Sequence, residues 1–357
     1  MIYKIPNKIL LINIFGIGDV LFTTPLIANL KKADPQVQIG YLCNHRAEPI
    51  LRSDPYVNKV FIYDRDEFHA VQQKSLWAYV QKVNGVIQEI RREGYGLVLD
   101  VSMTDLMGFI SWAAGIKERV GLSYKRRGRF LTRKIGLKGF EGRHVVEYYL
   151  DLLRELGLEP QENRMRLCVS PNDVQWAQNL FNELGVKPAS TVVIVPGGGA
   201  SWGKEALYKR WGPENYAKLA DKIIEKCSAD IILMGDQNEM ALCQEVASAM
   251  KNRPKMAAGR TTVMQFAAVA KAVKLCIVND GGPLHIAVAS GGRILSIFGP
   301  VDEKVYGPYP ADQQTVVAAS VACRPCYRNF RRASCDHISC LKQISTDEVF
   351  RKAEGLL

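Results

Sequence analysis

The sequence has no apolar run long enough to cross a membrane, because its most apolar N-terminal segment, residues 9–17, is short and contains Asn13. A secretory signal combines a basic start and an apolar run with a small-residue cleavage site, whereas this run continues directly into a glycine-rich loop that contains Asp19. The sequence also has no low-complexity stretch. These absences argue against a membrane-spanning or secreted chain, and we expect a cytoplasmic globular protein.

Basic motifs with interleaved aromatic side chains, which are typical of nucleic-acid binding, are missing as well. The formal net charge is nevertheless +11, which indicates either an anionic partner or a merely basic surface. The candidate partners are nucleic acid, an acidic membrane surface and a phosphorylated substrate. Residues 117–143 contain ten basic and two acidic residues, so we expect this stretch to form either an anion-binding face or a solvated one.

Strands and helices alternate through both halves of the 357 residues, and this order predicts two α/β domains with parallel sheets. The polar segment 159–171, which contains two prolines, marks the boundary between them. The predicted parts are an N-terminal domain 1–160, a C-terminal domain 171–340, and a C-terminal helix within 341–357 that packs back toward the N-terminal domain.

Ligands of parallel α/β folds bind beyond the carboxyl ends of the strands, so the expected site is a cleft between the two domains. The loops expected to line it are 16–19, 196–211, 235–239 and 279–285.

The turn Gly16-Ile17-Gly18-Asp19 follows a buried strand and opens a helix. A dinucleotide-binding fingerprint needs a third glycine three residues after the second, and Leu21 stands at that position. Asp19 would also place negative charge beside a pyrophosphate, so an NAD site is excluded. The two glycines indicate that another molecule approaches the backbone closely. Asp19 itself is either a helix cap or a catalytic base.

The segment Asn279-Asp280-Gly281-Gly282-Pro283-Leu284-His285 lies between a buried strand and a helix. Its glycines expose backbone N–H groups at the helix start, which is a natural seat for a diphosphate. The proline fits the first helical turn, where its missing N–H costs nothing. His285 either points toward the same site or is a buried core histidine.

Two further loops follow predicted strands of the second half. The loop 197–211 contains Ser201, Lys204, Lys209 and Arg210, and it is either a phosphate-binding turn or a flexible solvated loop. In the loop 235–239, the carboxylates are expected to accept hydrogen bonds from ribose hydroxyls, as a strand-end acid does in dinucleotide folds. These carboxylates belong to Asp236 and Glu239.

The nine cysteines fall into two groups. The first group is scattered, mostly in apolar runs, and is expected to consist of inert core thiols; it comprises Cys43, Cys168, Cys227, Cys243 and Cys276. The second group, Cys323, Cys326, Cys335 and Cys340, is clustered and predicts a structural metal site in a cytosolic protein. Zinc is favoured over iron, and reduced free thiols are the alternative.

Four motifs together resemble glycosyltransferase family 9, the lipopolysaccharide heptosyltransferases. They are F-G-I-G-D-V-L-F-T-T-P-L-I at 15–27, V-P-G-G-G-A-S-W-G-K at 195–204, K-R-W-G-P-E-N-Y-A-K-L-A at 209–220, and V-N-D-G-G-P-L-H-I-A-V-A-S-G at 278–291 with I-F-G-P at 297–300. The resemblance spans nearly the whole chain. It implies a GT-B fold, in which two Rossmann-like domains face a central cleft.

The resemblance also implies an inverting transfer that requires no cofactor and no catalytic metal, with ADP-L-glycero-β-D-manno-heptose as donor. Under it, Asp19 is the general base and Lys209 contacts the donor phosphates. Glu239 binds the donor ribose. The remaining donor-binding residues are Ser201, Asp280, Gly281, Gly282 and His285. Many members carry Ser or Thr where this chain has Gly281, so a possible hydroxyl contact is absent.

The implied acceptor is an anionic lipopolysaccharide core precursor at the inner face of the inner membrane. Gly18 and the basic residues Arg126, Arg127 and Arg129 are the expected acceptor contacts, and neutralising the arginines should weaken acceptor or vesicle binding but spare donor binding. The alternatives are a GT-B transferase for another nucleotide sugar or acceptor, a degenerate family member, and a non-catalytic protein that binds nucleotides or nucleic acid.

Overall fold

The computed structural model describes residues 3–311 and 314–357. The chain divides into two compact units, Met1–Met165 (unit 1) and Arg166–Leu357 (unit 2). Each unit contains one six-stranded parallel sheet with α-helices packed against it. The predicted α/β class with parallel sheets is therefore confirmed.

The sheet of unit 1 has the strand order β3-β2-β1-β4-β5-β6. Its strands are β1 (Lys8–Ile12), β2 (Gln38–Cys43), β3 (Lys59–Ile62), β4 (Leu97–Asp100), β5 (Glu118–Tyr124) and β6 (Arg133–Leu137). The α-helices described in this unit are α1 (Ile17–Leu21), α2 (Thr24–Ala33), α3 (Glu48–Arg52), α4 (Arg65–Lys74), α5 (Leu76–Glu93), α6 (Asp105–Ala113) and α7 (Val145–Glu155).

The sheet of unit 2 has the strand order β12-β11-β10-β7-β8-β9. Its strands are β7 (Thr191–Val195), β8 (Asp230–Leu233), β9 (Lys255–Met256), β10 (Leu275–Asn279), β11 (Ile294–Phe298) and β12 (Thr315–Ala318). A separate antiparallel hairpin pairs β13 (Tyr327–Arg328) with β14 (Arg331–Arg332). The α-helices described here are α8 (Pro171–Leu184), α9 (Pro213–Cys227), α10 (Met240–Ala249), α11 (Val263–Ala272), α12 (Gly282–Ala289), α13 (Glu303–Tyr306), α14 (Ser339–Lys342) and α15 (Thr346–Glu354).

The central strands form the core because their side chains are apolar on both faces. All five residues of β7 and of β10 are buried, as parallel sheets covered by helices require. The ends of the longer helices carry local signals. Ser170 caps α8 by accepting from the Asp173 amide, and Gly185 ends the helix in a left-handed conformation with φ 66°.

The segment 20–32 has helical periodicity in the sequence, but the structure divides it into two helices. α1 ends at Leu21, and α2 begins at Thr24 with Pro25 in its first turn. The break has a steric cause, because a proline inside a helix loses a hydrogen bond and clashes with the preceding turn, whereas the first turn accepts it. The division leaves the short α1 as a separate element directly after β1.

Two strands of unit 1 lie in the basic stretch 117–143, where the sequence pattern did not reveal strands. β5 pairs with β4, and β6 pairs with β5, both in parallel. In β6, Arg133 is half-buried and Lys134 is exposed. This edge strand has no uninterrupted apolar run, because it faces water along part of its length.

The C-terminal helix α15 packs against α9 within unit 2. Val349, Phe350 and Ala353 belong to the hydrophobic core of that unit. Ser345 caps the N-terminus of this helix, since its hydroxyl accepts from the Glu348 amide at 3.1 Å. Packing of this helix toward the N-terminal domain stays a prediction.

Within the two described ranges, no helix combines the length and the apolarity that a membrane-spanning segment needs.

Candidate active site

The sheet order of unit 2 reverses between β10 and β7. These strands are neighbours, but the chain continues from β7 toward β8 on one side and from β10 toward β11 on the other. Ligands of open α/β sheets bind in the crevice at such a reversal, beyond the carboxyl ends of the strands. The loops that leave this point are 196–199 and 280–282, which are the glycine-rich segments singled out in the sequence.

Asn279, the last residue of β10, ties three segments of unit 2 together. Its amide nitrogen donates to the carbonyls of Pro196 and Gly197 at 2.8 and 2.9 Å. Its amide oxygen accepts from the Trp211 backbone at 3.0 Å and from the Tyr216 hydroxyl at 2.8 Å. The amide is 1% exposed and uses both donors and both acceptor sites. It therefore fixes the two loops rather than a ligand.

Lys209 and Asp280 form a buried ion pair beside this amide. The ammonium lies 2.7 Å from the Asp280 carboxylate, and the two side chains are only 10% and 4% exposed. The same ammonium lies 4.4 Å from the centroid of the Trp202 ring. Asp280 lies two residues before the start of α12, so the ion pair stands beside the helix N-terminus, where the dipole favours an anion.

Gly281 is required by close packing between the two loops. A Cβ at this position would lie 2.8 Å from the Gly199 nitrogen. The backbone of Gly281 is extended, with φ 160°, so contact rather than strain excludes a larger residue. At Gly282 an added Cβ would meet nothing within 4 Å. The start of α12 therefore has open space beside Gly282.

Glu239 is 6% exposed and holds the loop 196–199 from the side of β8. One carboxylate oxygen accepts from the Gly198 amide at 2.6 Å and lies 3.4 Å from the Arg210 guanidinium. The other accepts from the Asp236 amide at 3.2 Å and completes a capping box. Three polar groups thus occupy a carboxylate that has about four acceptor positions.

The two remaining predicted donor residues, His285 and Ser201, differ in their exposure to solvent. His285 is the fourth residue of α12 and is 5% exposed. Ser201 is exposed in the 3-10 segment Ala200–Lys209. The structure therefore brings Lys209, Asp280, Gly281 and Gly282 together at one helix start, with Glu239 joined to them through the loop at 196–199.

In unit 1, Asp19 is the third residue of α1, and the N-cap position belongs to Gly16. The side chain of Asn13 organises this turn: it donates to the Asp19 carbonyl at 2.9 Å and accepts from the Phe15 amide at 3.1 Å. Gly18 and Asp19 are both half-buried. The turn leaves β1 at the reversal of the sheet order between β1 and β4.

Asp100, the last residue of β4, is a buried carboxyl at the same reversal. It is 3% exposed and accepts from the Ser102 amide at 2.8 Å. Burial raises the pKa of Asp100 to about 6, and the hydrogen bonds of Ser102 oppose this rise. Met103, three residues after Asp100, has a left-handed backbone with φ 55°.

The predicted acceptor residues Arg126, Arg127 and Arg129 are exposed on the loop after β5. This loop is held from within, because one Asp105 oxygen accepts from the amides of Gly128 and Arg129 at 2.7 and 2.9 Å. No salt bridge joins the three guanidinium groups to a described residue. The loop therefore presents its positive charge to solvent on a fixed backbone.

The cysteines of the C-terminal cluster influence one another. Burial raises the pKa of Cys340, and the charges of Cys326, Cys323 and Cys335 raise it further. The pKa of Cys326 is likewise raised, first by burial and then by the charges of Cys335 and Cys323. Among residues 3–311 and 314–357, however, no three His, Cys, Asp or Glu side chains adopt the geometry of a metal site. The predicted metal stays a prediction.

Three residues near the site have structural roles that the sequence did not predict. Arg210 donates to the Gly198 carbonyl at 3.0 Å, Trp202 lies beside Lys209, and Asn279 holds the loops. For Asn279, the sequence does contain a signal of a structural role: it is the one amide at the end of an otherwise apolar strand. The position of Trp202 depends on contacts with residues more than a hundred positions away, which periodicity does not reveal.

Comparison with known proteins agrees with this architecture. The family model described as glycosyltransferase family 9 (heptosyltransferase) matches residues 83–336. The chain is 24% identical to lipopolysaccharide heptosyltransferase 3 of Escherichia coli over 296 residues, which cover 82% of this chain and 83% of the relative.

Two solved structures share the fold over almost their full length. A glycosyl transferase family 9 protein from Veillonella parvula superposes with a TM-score of 0.84 at 22% identity, covering 99% of this chain and 98% of the other. The ADP-heptose lipopolysaccharide heptosyltransferase II of Escherichia coli gives a TM-score of 0.77 at 20% identity, with 98% of both chains covered.

Two parallel six-stranded α/β units, shared with solved glycosyltransferase structures, define the GT-B class of glycosyltransferases. The chain belongs to glycosyltransferase family 9, the heptosyltransferase family. The family resemblance predicted from the four motifs and the predicted enzyme class are both confirmed.

Proposed function

We propose that the enzyme transfers a heptose from ADP-L-glycero-β-D-manno-heptose to the inner core of a lipopolysaccharide precursor, with inversion and without a catalytic metal. The lipopolysaccharide heptosyltransferase of Escherichia coli and the ADP-heptose-dependent structural neighbour support this substrate class. The observation that carries the proposal within the chain is the buried pair of Lys209 and Asp280 at the start of α12.

The donor diphosphate is proposed to bind at that helix start. Open space beside Gly282 gives a phosphate access to the backbone N–H groups. The Lys209 ammonium supplies the charge that a metal supplies in other transferases, and it stabilises the leaving diphosphate as the sugar–phosphate bond breaks. An acceptor position of Glu239 is proposed to take a ribose hydroxyl, and we assign Ser201 and His285 to the same donor site.

The acceptor is proposed to bind unit 1, where Gly18 gives close access to the backbone and Asp19 acts as the general base. Asp19 takes the proton of the acceptor hydroxyl while the hydroxyl oxygen bonds to the anomeric carbon of the donor. General bases of this kind contribute about 10²–10⁴-fold to rates. An ordinary aspartate is a weak base near neutral pH, so its contribution depends on alignment with the hydroxyl.

Donor selectivity tests the proposal. Thermal unfolding is recorded with ADP-heptose, ADP, UDP-N-acetylglucosamine and GDP-mannose, since a ligand of the native state raises the melting temperature by mass action. We expect ADP-heptose and ADP to stabilise the enzyme and the other two to have no effect. Stabilisation by UDP-N-acetylglucosamine or GDP-mannose alone would contradict the donor assignment.

We also propose that unit 1 contacts an anionic membrane surface from the cytoplasmic side, at the inner membrane. The basic loop lies next to an aromatic group formed by Phe109, Trp112 and Phe130, whose ring centroids are 5.5–5.9 Å apart. Trp112 is 53% exposed. Amphipathic aromatic side chains beside basic ones favour the headgroup region of a bilayer.

Vesicle sedimentation tests this surface with the triple variant Arg126→Gln/Arg127→Gln/Arg129→Gln. Each basic residue near an anionic surface adds about 1 kcal/mol, so we expect about 100-fold weaker binding at low salt. Trp112→Ser should weaken binding as well, whereas Trp77→Ser, at a more exposed tryptophan (70%) on α5, should not. ADP affinity should not change. Unchanged vesicle binding in the triple variant would refute the assignment.

For the cysteine cluster we propose a structural zinc ion bound by Cys323, Cys326, Cys335 and Cys340. Four thiols at the spacing Cys-x2-Cys-x8-Cys-x4-Cys are a donor set that suits zinc, and the ion would stabilise the fold without taking part in the transfer. Metal analysis of untagged protein should find about one equivalent. Cys326→Ser should lose it, and Cys227→Ser should keep it. Less than about a tenth of an equivalent in the wild type would reject a tightly bound site.

A further inference from the structure

The hairpin of β13 and β14 contacts the lysine-bearing segment Ala200–Lys209 within unit 2. Tyr327 and Arg332 pair across its two strands. The amides of Cys326 and Tyr327 both donate, at 3.0 and 3.1 Å, to the carbonyl of Pro300, which lies two residues after the end of β11. The hairpin is therefore attached to the carboxyl edge of the sheet, the edge that carries the proposed donor site.

The first contact is a stack of rings that ends at the lysine. The Tyr327 ring lies 5.0 Å from Trp202 with an interplanar angle of 34°, and Tyr306 supports it at 5.9 Å. Trp202 in turn has the Lys209 ammonium 4.4 Å from its centroid. A displacement of Tyr327 therefore removes the support of the ring against which the ammonium rests.

The second contact is a charged one at the other side of the segment. Arg332 pairs with Glu205 at 2.7 Å, and its side chain is 9% exposed. Its guanidinium carbon lies 3.7 Å from the centroid of Tyr208, the residue before Lys209. Burial against an aromatic face strengthens such contacts relative to exposed ones.

The segment itself provides little support for the lysine. Gly203 interrupts its helical geometry with φ 56° and ψ −125°. Lys204, Glu205 and Leu207 are exposed. Short 3-10 segments with poor hydrogen-bond geometry need packing from outside to keep one conformation.

We propose that Tyr327 and Arg332 are positioning residues for the donor diphosphate: they hold Trp202 and Tyr208 and thereby the ammonium of Lys209. This inference rests on the proposed function, because it assumes that Lys209 contacts the donor. Neither residue is proposed to touch the substrate.

Calorimetric titration with ADP tests the inference. Tyr327→Ala and Arg332→Ala should each raise the Kd for ADP about threefold to tenfold, the range expected for loss of one aromatic or cation–π contact. Tyr327→Phe keeps the ring and should restore wild-type affinity. In turnover, Tyr327→Ala should raise the donor KM and also lower kcat by about twofold to tenfold, because Lys209 is proposed to stabilise the leaving diphosphate in the transition state.

Two controls separate positioning from loss of stability. Arg331→Ala removes an exposed cation from the same strand and should leave ADP affinity unchanged. Val349→Ala weakens the core of unit 2 on α15 and should lower the melting temperature without changing ADP affinity. If ADP affinity falls equally in Val349→Ala and Tyr327→Ala, the positioning role is refuted.

Lys209→Ala distinguishes this inference from the proposed function. If Lys209→Ala weakens ADP binding and Tyr327→Ala does not, the positioning role is wrong and the donor site stands. If Lys209→Ala leaves ADP binding unchanged, both assignments are wrong.

Discussion

The buried pair of Lys209 and Asp280 permits a prediction that separates stability from ligand binding. Lys209→Met keeps the length of the side chain and removes its charge. The carboxylate of Asp280, whose side chain is 4% exposed, then loses its counter-ion in a low-dielectric setting. We expect this variant to be less stable and also to bind ADP more weakly, for two different reasons.

The magnitude follows from the geometry of the pair. At the observed 2.7 Å the attraction is about 6 kcal/mol for an effective dielectric constant of about 20. Desolvation of both ions offsets most of this, so the net contribution of the intact pair is small. Removal of one partner is costly, about 3–5 kcal/mol, because a lone buried charge remains. For a unit of this size the melting temperature should fall on the order of 10 °C.

The double variant Lys209→Met/Asp280→Asn removes the lone charge and should recover most of the lost stability. It should not recover ADP binding, because a lost charge-assisted hydrogen bond of about 1.5–3 kcal/mol corresponds to about tenfold to hundredfold in Kd. Lys204→Met, at an exposed lysine of the same segment, serves as the control and should change neither quantity.

The assay measures the melting temperature by calorimetry and the Kd for ADP by titration. Both are determined for the wild type, Lys209→Met, Lys209→Met/Asp280→Asn and Lys204→Met. Recovery of ADP affinity together with stability in the double variant would refute the reasoning, because Lys209 would then act only by neutralising Asp280. Equal stability of wild type and Lys209→Met would refute the burial argument.

Two further predictions concern the carboxyl ends of the sheets. Burial raises the pKa of Asp100 from 3.8 to about 6, so the folded state binds its proton more tightly; this contributes about 3 kcal/mol of stability that is complete below about pH 4 and lost as the pH rises through about 6. Asp100→Asn should therefore gain stability relative to wild type between pH 4 and pH 8 in urea titrations, and a difference that does not vary with pH would contradict this. Gly281→Ala should lower the melting temperature, because its Cβ would lie 2.8 Å from the Gly199 nitrogen and overpacking costs about 1–3 kcal/mol. Gly282→Ala, where the Cβ meets open space, is the matched control, and equal effects at both positions would refute the packing argument.

The sequence predicts the fold class and the glycine-rich loops because these depend on local pattern. Apolar strands followed by glycine and a helix start are visible at 9–18 and at 275–285, and the structure confirms the parallel α/β arrangement. The motifs also predict the family, which the match over residues 83–336 confirms. Residue roles within the site stay predictions.

Other features depend on contacts that pattern does not encode. Strand β6 carries Arg133 and Lys134 and has no apolar periodicity. It is a strand because its backbone pairs with β5. Glu239 was predicted as a ribose ligand, yet most of its acceptor capacity serves the loop at 196–199. The contact of Tyr327 with Trp202 joins residues that are distant in sequence, and only the fold brings them together.

The most direct test of the account is transfer from ADP-heptose to a lipopolysaccharide core acceptor by wild type and Asp19→Asn. The asparagine keeps the shape of the side chain and removes its basicity. We predict that kcat falls by about 10²–10⁴-fold, while the Kd for ADP measured on the same preparation is unchanged. Transfer by Asp19→Asn at a rate within about tenfold of the wild type would contradict the role of Asp19 as the general base.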